Sequence, residues 1–113
     1  MSPIRQALKN WSQEILLRIQ VKLYGVFRSA AGSSSLELQI LDNVPTVRTA
    51  ISCMVSQASF RDLKQLLVDD QTSDPRSNAL IMVSGHEIST LNGLDTTLAE
   101  DDELSLLPVA HGG

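Results

Sequence analysis

Apolar and polar side chains alternate along residues 17–24, and this period of two is typical of a β-strand with one buried face. The same alternation returns at Leu36, Leu38 and Ile40. The stretch between them, GVFRSAAGSS, supplies turn residues such as glycine and serine. The pattern therefore predicts two strands that pair as a hairpin.

The hydrophobic period changes to that of a helix after the second strand. Between residues 47 and 58, apolar side chains recur every three or four positions. Thr46 is the predicted N-cap, because its hydroxyl can accept a hydrogen bond from an unpaired backbone N–H group of the first turn. A shorter apolar series at Phe60, Leu63 and Leu67 predicts one or two further helical turns.

The C-terminal half of the chain contains three more strand signals. The stretch ALIMVS predicts a continuous apolar strand, and Ser84 with Gly85 predicts a tight turn into a short partner strand at HEIS. The preceding stretch, DDQTSDPRSN, predicts an exposed loop. A last alternating segment, ELSLL, ends at Pro108 and predicts the final strand.

The order of these elements constrains the fold. A helix that follows two strands and precedes the others can be buried only against one face of a mixed sheet, and the long connection allows the first and last strands to pair in parallel. The predicted fold class is α+β with the β-grasp plan, a mixed sheet with one main helix packed on one face. The final strand is expected beside the first, so that the chain leaves the packed body after Pro108.

This fold divides the chain into three predicted parts. Residues 17–108 form the β-grasp domain, and residues 109–113 form a flexible C-terminal tail ending in Gly-Gly. Residues 1–16 are an N-terminal extension in which Ile4, Leu8 and Trp11 share one helical stripe. Three apolar residues at a chain end hold a helix only weakly, so this extension is either helical or disordered.

Charge and composition exclude several classes of function. The 113-residue chain has a formal net charge of −4 at pH 7, which disfavours binding to nucleic acid or to an anionic membrane surface. Its one cysteine cannot form an internal disulfide, and the first residues lack the apolar core of a signal peptide. No apolar run approaches the roughly 20 residues that span a bilayer. We therefore expect a cytoplasmic protein with no nucleic-acid or membrane partner.

The sequence also lacks the signatures of a self-sufficient active site. The phosphate-binding pattern GxxxxGK[ST] is absent, and no GxGxxG follows a predicted strand. His86 and His111 have no spacing typical of a metal site, and Cys53 has no second cysteine in a CxxC motif. We expect this chain to bind no metal and no cofactor.

Three stretches, VKLYGVFRSAAG, IMVSG and LAEDDELSLLPVAHGG, resemble in this order the ubiquitin-like sulfur-carrier and small-modifier family. That family includes the small subunit of molybdopterin synthase, the thiamine sulfur carrier, the ubiquitin-related modifier and the archaeal small modifiers. The resemblance covers most of residues 17–113. Asp101-Asp102 replaces the family's frequent Asp-Gly, and Val109 follows Pro108 where molybdopterin-type tails often have paired prolines. His111 before the glycines is more similar to the ending of the ubiquitin-related modifier.

The resemblance implies a carrier or modifier that is not an enzyme. A partner enzyme of the ubiquitin-activating kind would adenylate the carboxylate of Gly113 with ATP. The carboxylate would then receive sulfur as a thiocarboxylate, from a donor such as a cysteine desulfurase or a rhodanese-type protein, or be joined to a lysine of a target protein. One alternative is the small subunit of molybdopterin synthase, with the large subunit as its partner. An alternative of another class is a ubiquitin-like interaction module whose tail is never activated.

The tail residues have simple expected roles in such a reaction. Gly112 and Gly113 lack the β-carbon that would collide with the walls of a narrow passage into another protein. His111 is either a plain spacer or a titratable contact with the activating enzyme. The other tail positions are Pro108, Val109 and Ala110.

Tyr24 and Leu107 are the predicted docking residues for the partner. Strand alternation turns both side chains away from the helix-covered core, and their strands are neighbours in the predicted sheet. An apolar pair beside the tail suits a transient interface, although scattered surface hydrophobic residues are also common.

Overall fold

A computed structural model describes residues 14–68, 71–72 and 74–109 of the chain. Of the N-terminal extension predicted at residues 1–16 as helical or disordered, residues 1–13, with the stripe of Ile4, Leu8 and Trp11, lie outside the described residues.

Five strands form one mixed sheet in the order β2-β1-β5-β3-β4. The strands are β1 Ile15–Leu23, β2 Ser35–Asp42, β3 Ala79–Val83, β4 His86–Glu87 and β5 Glu103–Pro108. The helices are α1 Gly25–Ala31, α2 Val47–Val55 and α3 Arg61–Leu67. Four short 3-10 turns are also described, at Ala58–Phe60, Pro75–Ser77, Ile88–Thr90 and Gly93–Asp95.

The central strand of the sheet is β5, which runs parallel to β1 and antiparallel to β3. Strands β1 and β2 are antiparallel, as a hairpin requires. All three helices contribute side chains to one hydrophobic core with the sheet. This arrangement confirms the predicted α+β class and the β-grasp plan.

The predicted turn between β1 and β2 is wrong in one respect, because GVFRSAAGSS contains the helix α1. Phe27 on this helix is only 1% exposed and is among the largest buried side chains of the core. Gly32 ends the helix at φ 76°, a backbone angle that glycine adopts without steric cost. A seven-residue helix held by one buried aromatic has too short a periodic pattern to be recognised from sequence.

Strand β1 begins at Ile15, two residues before the predicted domain boundary. Ile15 pairs with Asp42 and Leu16 pairs with Leu41, so the antiparallel ladder extends into the predicted extension. The side chains of Ile15 and Leu16 remain exposed, and hydrophobic alternation therefore gave no signal for this part of the strand.

The predicted cap of α2 is confirmed. The Thr46 hydroxyl accepts a hydrogen bond from the Thr49 backbone N–H at 3.3 Å, and the Thr49 hydroxyl accepts one from the Thr46 N–H at 2.7 Å. The predicted tight turn before β4 is confirmed as well. Ser84 and Gly85 both have positive φ, at 46° and 88°, as a two-residue hairpin of type I′ requires.

The acidic stretch before β5 links that strand to both of its neighbours. The Glu100 carboxylate accepts a hydrogen bond from the Arg18 backbone N–H at 2.6 Å. Asp101 has φ 67° and donates its own N–H to the Arg18 carbonyl at 2.9 Å. On the other side, the Asp102 carboxylate accepts from the Ser84 hydroxyl at 2.8 Å. These bonds fix the position of the acidic stretch, in which the turn residues Glu100 and Asp101 remain exposed to solvent.

Candidate functional site

The candidate site begins where the central strand β5 ends. Leu104 and Leu106 on this strand are completely buried, whereas Pro108 is exposed and Val109 is 41% exposed. The change from a buried strand to an exposed chain therefore takes place within three residues. Residues 108 and 109 are called the tail root below.

The chain is held by hydrogen bonds from both sides as it approaches the tail root. On the β1 side, the Tyr24 backbone N–H donates to the Leu106 carbonyl at 3.3 Å. On the β3 side, the Val109 N–H donates to the Asn78 carbonyl at 3.0 Å. The Asn78 side-chain amide in turn donates to the Leu67 carbonyl, at 3.1 Å, and this bond anchors Asn78 to α3.

The two predicted docking residues lie at the same end of the sheet as the tail root. Tyr24 follows the last residue of β1, serves as the N-cap of α1 and is 43% exposed. Leu107 is half-buried on the face of the sheet that the helices do not cover. Because Leu23 pairs with Leu106, Tyr24 and Leu107 follow paired positions on neighbouring strands.

Two further exposed apolar residues lie beside them, namely Leu80, for which the sequence predicted no role, and Val109, which it predicted only as a tail position. Leu80 on β3 is 41% exposed and pairs directly with Leu107, and Val109 is equally exposed. The tail-root patch is defined here as Tyr24, Leu80, Leu107 and Val109. The stretch ALIMVS is uniformly apolar, but alternate residues of a strand point to opposite faces of the sheet, and the helices cover only one face. This alternation is the sequence signal for the exposure of Leu80.

A second exposed apolar pair lies on the same open face at the far end of β1. Leu16 and Leu41 pair across β1 and β2 and are 61% and 63% exposed. Between the two apolar areas, Lys22 of β1 forms an ion pair with Glu103 of β5 at 3.3 Å. Charged side chains thus separate the tail-root patch from the Leu16–Leu41 pair.

A hollow of about 310 Å³ adjoins the tail-root patch. Its lining includes Tyr24 together with the basic side chains Lys22 and Arg28 and the hydroxyl groups of Ser34 and Ser35. The two charged residues of this lining, Lys22 and Arg28, are both basic, so the hollow favours acidic side chains.

Other residues with possible chemistry lie away from this end of the sheet. Cys53 is half-buried on α2, where its Sγ lies 3.7 Å from the Gln39 carbonyl. His86 is exposed at the first position of β4. Among the described residues, no three His, Cys, Asp or Glu side chains are grouped closely enough to hold a metal ion. None of the helices in the described ranges has the length and hydrophobicity needed to cross a bilayer.

The structure places four of the eight predicted site residues, namely Tyr24, Leu107, Pro108 and Val109. The other four, Ala110, His111, Gly112 and Gly113, lie outside the described residues. Their roles therefore stay predictions.

No protein-family model matches the chain. Small archaeal modifier protein 3 of Haloferax volcanii is 25% identical over 97 residues, which are 86% of this chain and 100% of that protein. The solution structure of small archaeal modifier protein 1 from Methanosarcina acetivorans has a TM-score of 0.74 at 25% identity, covering 88% of this chain and 99% of that one. The solution structure of Urm1 from Trypanosoma brucei has a TM-score of 0.65 at 23% identity, covering 87% and 97%.

Proposed function

Because the chain resembles the ubiquitin-like sulfur-carrier and small-modifier family in sequence and in fold, we propose that it acts through an activated carboxylate on Gly113. The resemblance predicted from the sequence is confirmed by these relatives. In this proposal the chain is a substrate on which other enzymes act, and it contributes no catalytic group of its own.

The observation that carries the proposal is the way β5 ends. This strand is the centre of the sheet, and hydrogen bonds hold the chain up to Leu106 on the β1 side and up to Val109 on the β3 side. Four residues follow Val109, and in extended form they span at most about 14 Å. That length allows the Gly113 carboxylate to enter a nucleotide site in a partner while the folded body stays outside.

The chemistry requires a partner because a carboxylate is a poor electrophile. In the proposed reaction, a carboxylate oxygen of Gly113 attacks the α-phosphorus of ATP and pyrophosphate leaves. The acyl-adenylate then loses AMP to a nucleophile. A persulfide on a cysteine desulfurase or a rhodanese-type protein displaces AMP and forms an acyl disulfide. A second thiol then attacks the S–S bond, so that a thiocarboxylate is released and a disulfide is left on the donor. A lysine amine instead displaces AMP to give an isopeptide bond. ATP is bound by the adenylating enzyme in both cases.

The tail-root patch is the proposed docking surface for that enzyme. Its four apolar residues surround the point at which the tail leaves, so docking there presents the tail to the enzyme. Lys22 is already paired with Glu103, so Arg28 in the adjoining hollow is the basic side chain that would attract acidic residues of the partner. A small apolar centre with a charged rim is typical of a transient interface.

We favour the modifier branch of the family over the molybdopterin-synthase branch. The two relatives at 25% identity are both named small archaeal modifier proteins. In the molybdopterin-synthase alternative, the thiocarboxylate would deliver sulfur inside a large subunit and no lysine conjugates would form. In the alternative of another class, an interaction module, the tail would not be adenylated at all.

The proposal is tested by incubating the purified chain with its adenylating enzyme, ATP and sulfide, and measuring its intact mass. We expect a product in which one oxygen of the chain is replaced by sulfur, and we expect none when ATP is omitted. An unchanged mass in the complete mixture, with no AMP released, contradicts the proposal and favours the interaction module. Lysine-linked adducts in a lysate supplied with ATP would distinguish the modifier from the molybdopterin-synthase subunit.

A further inference from the structure

Gly25, the first residue of α1, lies against the ring of Pro108. Its φ is +55°, and a β-carbon at this position would lie 2.8 Å from Cγ of Pro108 and 3.5 Å from Cδ. The shorter distance is well inside van der Waals contact between carbon atoms. Any side chain at position 25 therefore has to displace the proline ring.

The opposite side of the tail root is fixed by Asn78. Its carbonyl accepts the Val109 N–H at 3.0 Å, and its own backbone N–H donates to the Pro75 carbonyl at 3.0 Å. Its side-chain amide also bonds to α3, so both its backbone N–H and its side chain hold Asn78 in place. Pro108 and Val109 thus lie between the backbone of Gly25 on one side and the carbonyl of Asn78 on the other.

We propose that Gly25 is a positioning residue that sets the direction in which the tail leaves the body. Gly25 directly follows the docking residue Tyr24, so the same chain segment contacts the tail root and contributes to the tail-root patch. The tail root therefore has a fixed position relative to the surface on which the enzyme docks. The effect on activation rests on the proposed function, whereas the effect on the tail root itself does not.

Gly25→Ala and Gly32→Ala are a matched pair of variants. Both glycines belong to α1 or its cap and have positive φ, +55° and +76°, so alanine causes similar backbone strain at each. A β-carbon at Gly32 meets nothing within 4 Å. The pair therefore separates backbone strain from displacement of Pro108.

The first measurement is hydrogen exchange of the Val109 amide by NMR. Gly25→Ala should accelerate this exchange at least about tenfold relative to Gly32→Ala, because exchange reports the local opening of the bond to Asn78. Adding Pro108→Ala to Gly25→Ala should return the rate to that of Pro108→Ala alone, since the ring is then absent. Equal Val109 exchange in the two glycine variants, or no rescue, would overturn the proposed contact.

The second measurement is the rate of ATP–pyrophosphate exchange with the adenylating enzyme. Gly25→Ala should lower kcat/KM at least about tenfold relative to Gly32→Ala, because a misplaced reacting group loses its near-attack geometry. The double variant Gly25→Ala, Pro108→Ala should be activated at the rate of the single variant Pro108→Ala. Equal activation of the two glycine variants overturns the positioning role even if Val109 exchange differs. If the unmodified chain is not activated, the proposed function fails, and Val109 exchange still decides whether Gly25 controls the tail root.

Discussion

Leu80 and Leu107 lie directly opposite each other across the antiparallel β3–β5 pair. Directly opposed residues share one face of a sheet, and this face is the one that the helices leave open. With Tyr24 and Val109, the pair makes the end of the sheet apolar where the tail leaves.

Docking of the activating enzyme should depend on this end of the open face. Tyr24→Ala, Leu80→Ala and Leu107→Ala should each raise the KM for activation at least about fivefold, because truncating a central interface residue typically costs more than about 1 kcal/mol. Leu41→Ala is the control, since Leu41 is exposed on the same face at the far end. Steady-state pyrophosphate exchange measures the effect. A similar KM change for Leu41→Ala would contradict a localised patch.

The helix α1 should be an essential part of the core although it connects two strands of a hairpin. Phe27→Ala should lower the free energy of unfolding by about 3–5 kcal/mol, because it removes a fully buried aromatic side chain. Val26→Ala, at an exposed neighbouring position, should change it by less than about 0.5 kcal/mol. Urea unfolding followed by circular dichroism compares the two. Equal effects would mean that α1 does not pack as described.

Acid should weaken the link between β5 and β1. Hydrogen bonds from the Arg18 backbone N–H and guanidinium hold the pKa of Glu100 below its ordinary value, with the backbone bond as the largest cause. A lowered folded pKa stabilises the fold above the unfolded value of about 4.3, and this contribution is lost as the pH falls through the folded pKa. Glu100→Gln should therefore be less stable than the unmodified chain at pH 7, and the difference should shrink in acid.

Urea unfolding at pH 7 and in acid measures this difference. Arg18→Met is the matched control, because it removes the guanidinium but keeps the backbone N–H that contributes most. It should abolish less of the pH dependence than Glu100→Gln. If the loss of unfolding free energy in Glu100→Gln stays constant down to pH values below the Glu100 pKa, the Glu100 carboxylate is not the source of the pH dependence.

Removal of residues 1–13 should leave the folded domain intact. Strand β1 begins at Ile15, and among the described residues the buried apolar side chains of the core lie between Leu17 and Leu106. The shortened chain should keep a single cooperative urea transition, as expected for a small two-state domain. Loss of that transition would mean that Trp11 and its stripe belong to the core. Trp11→Ala in the full chain would then show the same loss.

Elements that bury one periodic face were predictable from the sequence. The alternation in β1 and β5 and the helical spacing of α2 follow directly from the burial of one side of each element. The Thr46 cap was predictable because a local hydrogen bond determines it. In contrast, α1 depends on a single residue, Phe27, whose burial requires the other helices to be in place.

The candidate site was only partly predictable for the same reason. The exit of β5 followed from the topology, and the exposure of Tyr24 followed from strand alternation. The contact between Gly25 and Pro108 joins residues that are distant in sequence, and the pairing of Leu80 with Leu107 depends on strand register. Neither relationship leaves a local pattern in the chain.

The central claim is that the reacting group is the carboxylate of Gly113, and deletion of Gly113 tests it most directly. The deletion moves the carboxylate back by about 3.5 Å of extended chain while leaving the described domain unchanged. With the adenylating enzyme and ATP, pyrophosphate exchange should fall at least about 100-fold, because misplacement of even about 1 Å can have that effect. A chain with one residue added after Gly113 should be equally inactive, and both variants should unfold like the unmodified chain. Activation of the shortened chain at the unmodified rate would contradict the account.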